Sequence, residues 1–384
     1  VAQKLNTILV VGLGDIGEHI LEFLVRIPEI SKIYGADRNE PRFRSKIYSA
    51  LSGAIHQGFY PQVEFLSLDL NDIDSTARTL SEIEPDIVVT SAALKTWWAP
   101  QASMPFEVFR KLDEAGFGPW LPLHFTLVYK LMKAVRKSGI ETHVINCSFP
   151  DAVNAVLGKL GMAPTVGLGN CDLFLPWLRK IVADRLSVPV SDVQLYFVGH
   201  HFLVHALGAY QSTLGCPYRM NVVVGDRDVT NLFNPDKLLI DANAHMPKGK
   251  DDHFIVAASA VKNVMGILQD TNQLAYAPGP EGLPGGYPIR LSREGAKVEL
   301  PAGLGRREAI RVNQDSQLLD GIERIEDDGT VVFSAKANQI MSELLGYQCT
   351  RLAPEENEVR AKELLAAYDL FVAKYRTLSS GRER

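Results

Sequence analysis

Thr7-Ile8-Leu9-Val10-Val11-Gly12-Leu13-Gly14-Asp15-Ile16-Gly17 opens the readable pattern of the chain, and Asp37 follows twenty residues after Gly17. An apolar strand runs into three glycines at G-x-G-x-x-G spacing. Ile16, Ile20, Leu21 and Leu24 then recur at helical intervals, and Ile33-Tyr34-Gly35-Ala36 reads as a second strand ending on an acid. The glycines meet three separate physical needs, namely a tight turn, close approach of backbone to a pyrophosphate, and close helix–strand packing. The helix N-terminus, around Asp15 and Ile16, meets the phosphates, and the Asp37 carboxylate accepts hydrogen bonds from a ribose. The pattern predicts a dinucleotide site for NAD, because a carboxylate at Asp37 repels a 2′-phosphate. Arg38 and Arg42 keep NADP open, since either suits such a phosphate. The plain alternative is a glycine loop kept for packing alone.

The alternation continues outward. Val63 to Leu68 reads as a third strand followed by Asp69-Leu70. Ile73 to Glu84 has helical spacing, and Ile87-Val88-Val89-Thr90 is a short apolar run typical of a buried parallel strand, with the small residues Ser91, Ala92 and Ala93 after it. Asp69, Leu70, Ser91, Ala92 and Ala93 therefore join the expected cofactor contacts. Residues 95–120 break the rhythm with Trp97, Trp98, Phe106, Phe109, Phe117 and Trp120 among prolines. Beyond the carboxyl end of a sheet strand, such a stretch suits a lid or apolar wall of a ligand site, or a subunit contact. A helix from Leu123 to Ser138 and a strand Thr142–Asn146 follow. Asn146 ends that strand, where its amide suits a nicotinamide ribose or a substrate oxygen; a turn-forming asparagine is the alternative.

At 384 residues the chain has room for two domains, and the formal net charge of −5 with a mean hydropathy of −0.01 describes an ordinary soluble composition. No block of Lys or Arg with interleaved aromatics points to nucleic acid, and the basic end Arg382-Glu383-Arg384 is too short to count. No run of eighteen apolar residues or secretory segment points to a membrane or export. The four cysteines, Cys147, Cys171, Cys216 and Cys349, lie far apart without a C-x-x-C pair, as in a reducing compartment, so the expectation is cytoplasmic. The expected fold is α/β: a Rossmann dinucleotide-binding domain over residues 1–150, then a mixed α/β catalytic and substrate domain over 151–384.

In the second part, a helix near 151–160 leads to Thr165-Val166-Gly167-Leu168-Gly169-Asn170. The strand Val193–Val198 delivers Gly199-His200-His201-Phe202 at its end. A Pro- and Gly-rich link over 277–288 precedes three strands and a hairpin turned by Asp327-Asp328-Gly329. Helices near 334–345 and 355–377 close the chain. His200, His201 and His205 cluster within six residues; in an extended segment His201 and His205 share one face. A histidine near neutral pKa takes the hydroxyl proton as hydride leaves carbon and returns it in reverse. Asp172 is the expected carboxylate that orients it. Cys171, Asp172, His200 and His201 also offer S, O and N donors for a metal, without a recognised metal spacing; no metal site is assigned.

At Val144-Ile145-Asn146-Cys147-Ser148-Phe149-Pro150-Asp151, Val166-Gly167-Leu168-Gly169 and Val198-Gly199-His200-His201, the chain resembles the lactate/malate dehydrogenase superfamily, which includes NAD- and metal-dependent family 4 glycosidases. With the amino-terminal motif these anchors span residues 7 to 205. The resemblance implies a homodimer or homotetramer, with His201 as the catalytic histidine, Asn146 near nicotinamide and substrate, and Asp172 one position before the partner aspartate. It also exposes departures. The arginines that read a hydroxyacid carboxylate have no clear match in residues 95–120, where tryptophans dominate and Arg110 is the only arginine, and Leu175-Pro176-Trp177 stands where another arginine is expected. The reading is therefore an NAD-dependent oxidoreductase for a small-molecule secondary alcohol or ketone, sugar-like substrates included. An NAD- and divalent-metal-dependent glycosidase and a non-catalytic NAD-binding sensor or scaffold are the alternatives.

Overall fold

The computed structural model describes residues 6–38, 40–96, 100, 103–247 and 249–380. Trp97, Trp98 and the terminal Arg382-Glu383-Arg384 lie outside them. The opening stretch forms β1 (Thr7–Val11) and α1 (Asp15–Leu24), followed by β2 (Lys32–Asp37), α2 (Glu40–His56), β3 (Gln62–Ser67), α3 (Ile73–Ile83) and β4 (Ile87–Thr90). With β5 (His143–Asn146) and β6 (Val166–Gly167) these strands make one parallel sheet in the order β3-β2-β1-β4-β5-β6. The strand order reverses between β1 and β4, which opens a crevice at their carboxyl ends. Register brings Val11 level with Ala36 and Thr90, and Thr90 level with Asn146, so Asp37, Ser91 and Asn146 all come to that edge.

The reason for the apolar runs is burial on both faces. Ile8, Leu9 and Val10 are wholly buried. Ile8 and Val10 face one core with α1 and α2, whereas Leu9 and Val11 face another with α3 and the helix Leu121–Ser138, as strand alternation requires. The second of these cores also collects Ile322, Phe333, Leu364 and Tyr368, so the chain returns to its first domain at the end. Trp120 meets Tyr368 edge to face at 5.7 Å. The long helix Asn357–Ser380 lies along Leu121–Ser138, tied by Asn357 Nδ2 to Thr126 Oγ1.

Beyond β6 the sheets are antiparallel: β7 (Val193–Val198) with β8 (Arg219–Val224) and β9 (Arg227–Asp228), β10 (Leu274–Pro278) with β11 (Gly286–Ser292) and β12 (Gly295–Val298), and β13 (Ile322–Ile325) with β14 (Val331–Phe333) and β15 (Arg351–Leu352). The expected division at residue 150 therefore falls inside the parallel sheet, because β6 is its sixth strand. The expected link over 277–288 is likewise packed structure. It ends β10, turns through Pro280–Gly282 against the helix Pro150–Lys159 and starts β11, with Gly285 N–H donating to Asp151 O at 3.1 Å. The hairpin at Asp327-Asp328-Gly329 is present, with Gly329 at φ +84°.

Candidate active site

The glycine loop is built as a cradle. Gly12 adopts φ +88°, and a Cβ there would stand 2.9 Å from Ala92 N; at Gly17 it would stand 1.9 Å from Gly12 O. Both glycines therefore serve packing. Gly14 differs, since a Cβ on it would meet nothing within 4 Å, and as N-cap of α1 it leaves the helix N–H groups without a side-chain cap. Open space over free N–H groups fits an anionic phosphate. Ser91 Oγ donates to Gly12 O at 2.8 Å and ties the loop to the end of β4. Asp37 accepts from Leu13 N–H at 2.9 Å and from Arg38 N–H at 2.7 Å, which fixes its carboxylate beside the loop. Asp15 faces Lys46, Lys250 and His253 at 3.9–4.0 Å, and Ile16 packs against the core of α1. Asp69 accepts from Asn71 and is exposed at the far end of the crevice, with Leu70 buried behind it. Ala92 and Ala93 are half-buried after β4.

At the other end of the crevice His201 starts a helix, His201–Tyr210, rather than extending β7. Two groups hold that helix start. His200 sits in extended conformation and its Nδ1 accepts from Phe202 N–H at 3.3 Å, while Asp151 Oδ1 accepts from His201 N–H at 2.8 Å. His201 and His205 still share one face, now through i, i+4 helical spacing. Asn170 Nδ2 donates to the other Asp151 oxygen. His201 Nδ1 lies 2.8 Å from Asp320 Oδ2 and donates to it, leaving Nε2 for other chemistry. Asp320 caps the C-terminus of the helix Arg306–Leu319, and its second oxygen accepts from Phe117 N–H at 2.8 Å.

No protein-family model matches the chain, and no curated protein sequence matches it. Solved structures do. A malate dehydrogenase of Cryptosporidium parvum superposes with a TM-score of 0.57 at 16% identity, over 82% of this chain and 98% of that one. A lactate dehydrogenase from a Medee basin deep-sea metagenome library gives 0.56 at 14% identity, over 83% and 97%. A lactate dehydrogenase of Eimeria maxima, solved with NADH and oxamate, gives 0.56 at 17% identity, over 83% and 92%. The chain has the lactate/malate dehydrogenase fold.

Within this lactate/malate dehydrogenase fold, two expected roles move. Asp172 does not reach His201. Its carboxylate accepts from Ser259 Oγ at 2.5 Å and Lys262 Nζ at 2.6 Å, and Lys262 also donates to Tyr276 O, so Asp172 ties two elements of the second domain together. Asp320 takes the histidine instead. Asn146 is wholly buried and uses its amide internally: Nδ2 donates to Ser148 O and Asn154 Oδ1, and Oδ1 accepts from Ser148 N–H. That is the turn-forming role, because the chain reverses directly after β5. The four donors considered for a metal do not converge either. Cys171 Sγ turns to the His200 carbonyl and Asp172 is held by Lys262; among the described residues no group of three His, Cys, Asp or Glu side chains is arranged around a cation position. The donor set does not fit a metal.

The electrostatics follow from burial and partners. Burial pulls the His201 imidazole down, but the Asp320 carboxylate, with Asp151 and Asp113, outweighs it and the pKa rises above its ordinary value. Burial pushes Asp320 up, yet the His201 charge and hydrogen bond, His200 and the Phe117 N–H hold it at about 2. Each partner therefore favours the charged form of the other. His200, wholly buried, is pushed down by burial against the pull of Asp151 and Asp320, and because its Nδ1 accepts from Phe202 N–H the neutral ring carries its proton on Nε2. Burial, then the His201 charge, takes His124 down to about 3; its Nδ1 meets Ser148 Oγ at 3.0 Å. Phe117 and Phe149 flank the His201 ring with centroids at 5.0 and 5.4 Å. Phe149 holds φ +42°, a left-handed conformation that costs a bulky residue about 1–2 kcal/mol. Sequence reasoning missed Asp151, Asp320 and Phe149 as site residues. Asp151 and Phe149 stand within the motif that follows β5, whereas Asp320 carries no local signal.

Proposed function

We propose that the chain is an NAD-dependent oxidoreductase that interconverts a secondary alcohol and its ketone, with His201 as the proton carrier. The single observation that carries this reading is the His201–Asp320 pair, partly exposed on the histidine side and buried on the carboxylate side, in a lactate/malate dehydrogenase fold. Gly12, Gly14 and Gly17 with the start of α1 would hold the pyrophosphate, and Asp37 the adenosine ribose. Bound cofactor supplies or accepts hydride at its nicotinamide ring.

The chain's own residues do the rest. Asp320 fixes the His201 tautomer, so Nε2 points away from the carboxylate and carries the mobile proton. In ketone reduction that proton passes from Nε2 to the oxygen as negative charge grows on it, and the imidazole is left neutral beside Asp320. In oxidation Nε2 takes the hydroxyl proton and the pair regains its charge. Phe117 and Phe149 cover part of the imidazole with apolar surface and so strengthen its pairing with the buried Asp320. Asp151, through the His201 N–H, sets where the ring stands.

The test is His201→Ala. The variant should bind NADH by calorimetry as the parent does and lose about 10²–10⁴-fold in turnover over a panel of ketones and secondary alcohols. Near-parental turnover in a folded, NADH-binding H201A would sink the assignment. Saturable NADH binding without absorbance change at 340 nm on the whole panel would instead favour a sensor.

A further inference from the structure

The charged groups that raise the pKa of His201 are all acids. They are Asp320, Asp151 and Asp113, and Asp113 itself lies 3.0 Å from His205 Nε2 on the next turn of the same helix. The single positive charge of His201 is already matched by Asp320 at 2.8 Å. Rings stand against it as well: Phe117 at 5.0 Å, Phe149 at 5.4 Å, and His124 against Phe117 at 4.9 Å and held neutral. Of the cations in residues 95–120, Lys95 pairs with Asp369 at 3.2 Å and covers the Tyr368 ring, while Arg110 and Lys111 are exposed on the helix Phe106–Asp113.

An anionic group beside the reacting carbon would find the His201 charge already taken by Asp320, with Asp113 paired to His205 and no cation among these contacts. Like charges brought together away from bulk water repel with little screening. A ring or alkyl group in the same place gains contact with Phe117 and Phe149 and opposes no charge.

We propose that the substrate of this site is an uncharged ketone or secondary alcohol whose carbinol carbon carries an apolar, ring-compatible group where the hydroxyacid enzymes of the fold take a carboxylate. The proposal rests on the reading of His201 as proton carrier.

Three ketones separate the possibilities. Phenylacetone and phenylpyruvate differ only by methyl against carboxylate at the carbonyl, and aminomethyl benzyl ketone brings a cation to the same position. Initial rates at 340 nm with saturating NADH should give phenylacetone a kcat/KM at least about tenfold above either charged ketone. Saturation-transfer NMR on the full chain should rank binding in the same order. Phe117→Arg should raise phenylpyruvate binding and lower that of phenylacetone, while Phe117→Leu keeps the parental order. Equal or tighter binding of phenylpyruvate or the amino ketone overturns the proposal, as does the failure of all three to bind. If calorimetry shows no NADH binding, the oxidoreductase reading falls, and the NMR ranking still decides the character of the site.

Discussion

Asp320→Asn separates charge from shape at the histidine. In the parent, one carboxylate oxygen accepts from His201 Nδ1–H and the other from Phe117 N–H, both at 2.8 Å. The asparagine keeps an oxygen for Phe117 and turns its NH₂ toward His201. Two donors then face each other, so His201 moves its proton to Nε2 and accepts at Nδ1. In that tautomer the ring is neutral, and its remaining N–H is too weak an acid to protonate the product oxygen. Asp320 is held at about 2 against an ordinary 3.8; that shift corresponds to about 2 kcal/mol of preference for the charged form. Turnover should fall by about 10²–10⁴ through the wrong tautomer. Asp320 raises the His201 pKa, and ketone reduction needs the imidazolium. Parental kcat/KM for reduction should therefore hold at low pH and decline as pH rises through the raised value, and in D320N residual activity should decline at lower pH. Stability runs the other way: a depressed carboxylate stabilises above the ordinary carboxylate range and loses that contribution as pH falls toward 2. The gap in unfolding free energy between parent and D320N should be about 2 kcal/mol at pH 7 and close toward pH 2. Parental turnover and pH profile in a folded, NADH-binding D320N would refute this account of the pair.

Three further tests address other sites. Gly14→Ala adds a Cβ with no neighbour within 4 Å, so melting should match the parent while NADH affinity in calorimetry falls at least about tenfold. Asp172→Asn weakens the hold on Lys262 and should destabilise by about 1–3 kcal/mol, measured by denaturant, with the pH profile of reduction unmoved. Asn146→Ala strands buried Ser148 and Asn154 groups and should cost about 1–3 kcal/mol of stability, while turnover per folded molecule stays within about twofold.

The parallel sheet was legible because its signals are local. Ile8 to Val11 is apolar on both alternating faces since both faces are buried, and Gly12 is glycine because of its φ and its contact with Ala92. The place of His201 just past the strand Val193–Val198 was legible as well. The helix it begins was not, because its start is capped by Asp151, fifty residues earlier, and by the preceding side chain. Asp172 looked like the partner through sequence nearness, yet Lys262 and Ser259 compete for it from a helix ninety residues on. Asp320 lies 119 residues from His201 in a segment with no motif. Only the return of the last strands to the first domain puts it there.

That return also explains how an imidazolium is kept where helix electrostatics oppose it. His201 is the first residue of its helix, and a helix N-terminus disfavours a cation by about 0.3–1 kcal/mol. Asp151 cancels much of this, since it occupies that N-terminus through the His201 N–H and sits in the first turn of its own helix. Asp320 stands in the mirror position, a carboxylate at a helix C-terminus, where the dipole disfavours an anion. Each charge of the pair is misplaced with respect to its own helix and correctly placed with respect to the other's. Joining the N-terminus of His201–Tyr210 to the C-terminus of Arg306–Leu319 turns two small penalties into one favourable contact. The ion pair is thus held by the packing of those two helices, and the same contact brings the Phe117 N–H onto Asp320 and the Phe117 ring against His201.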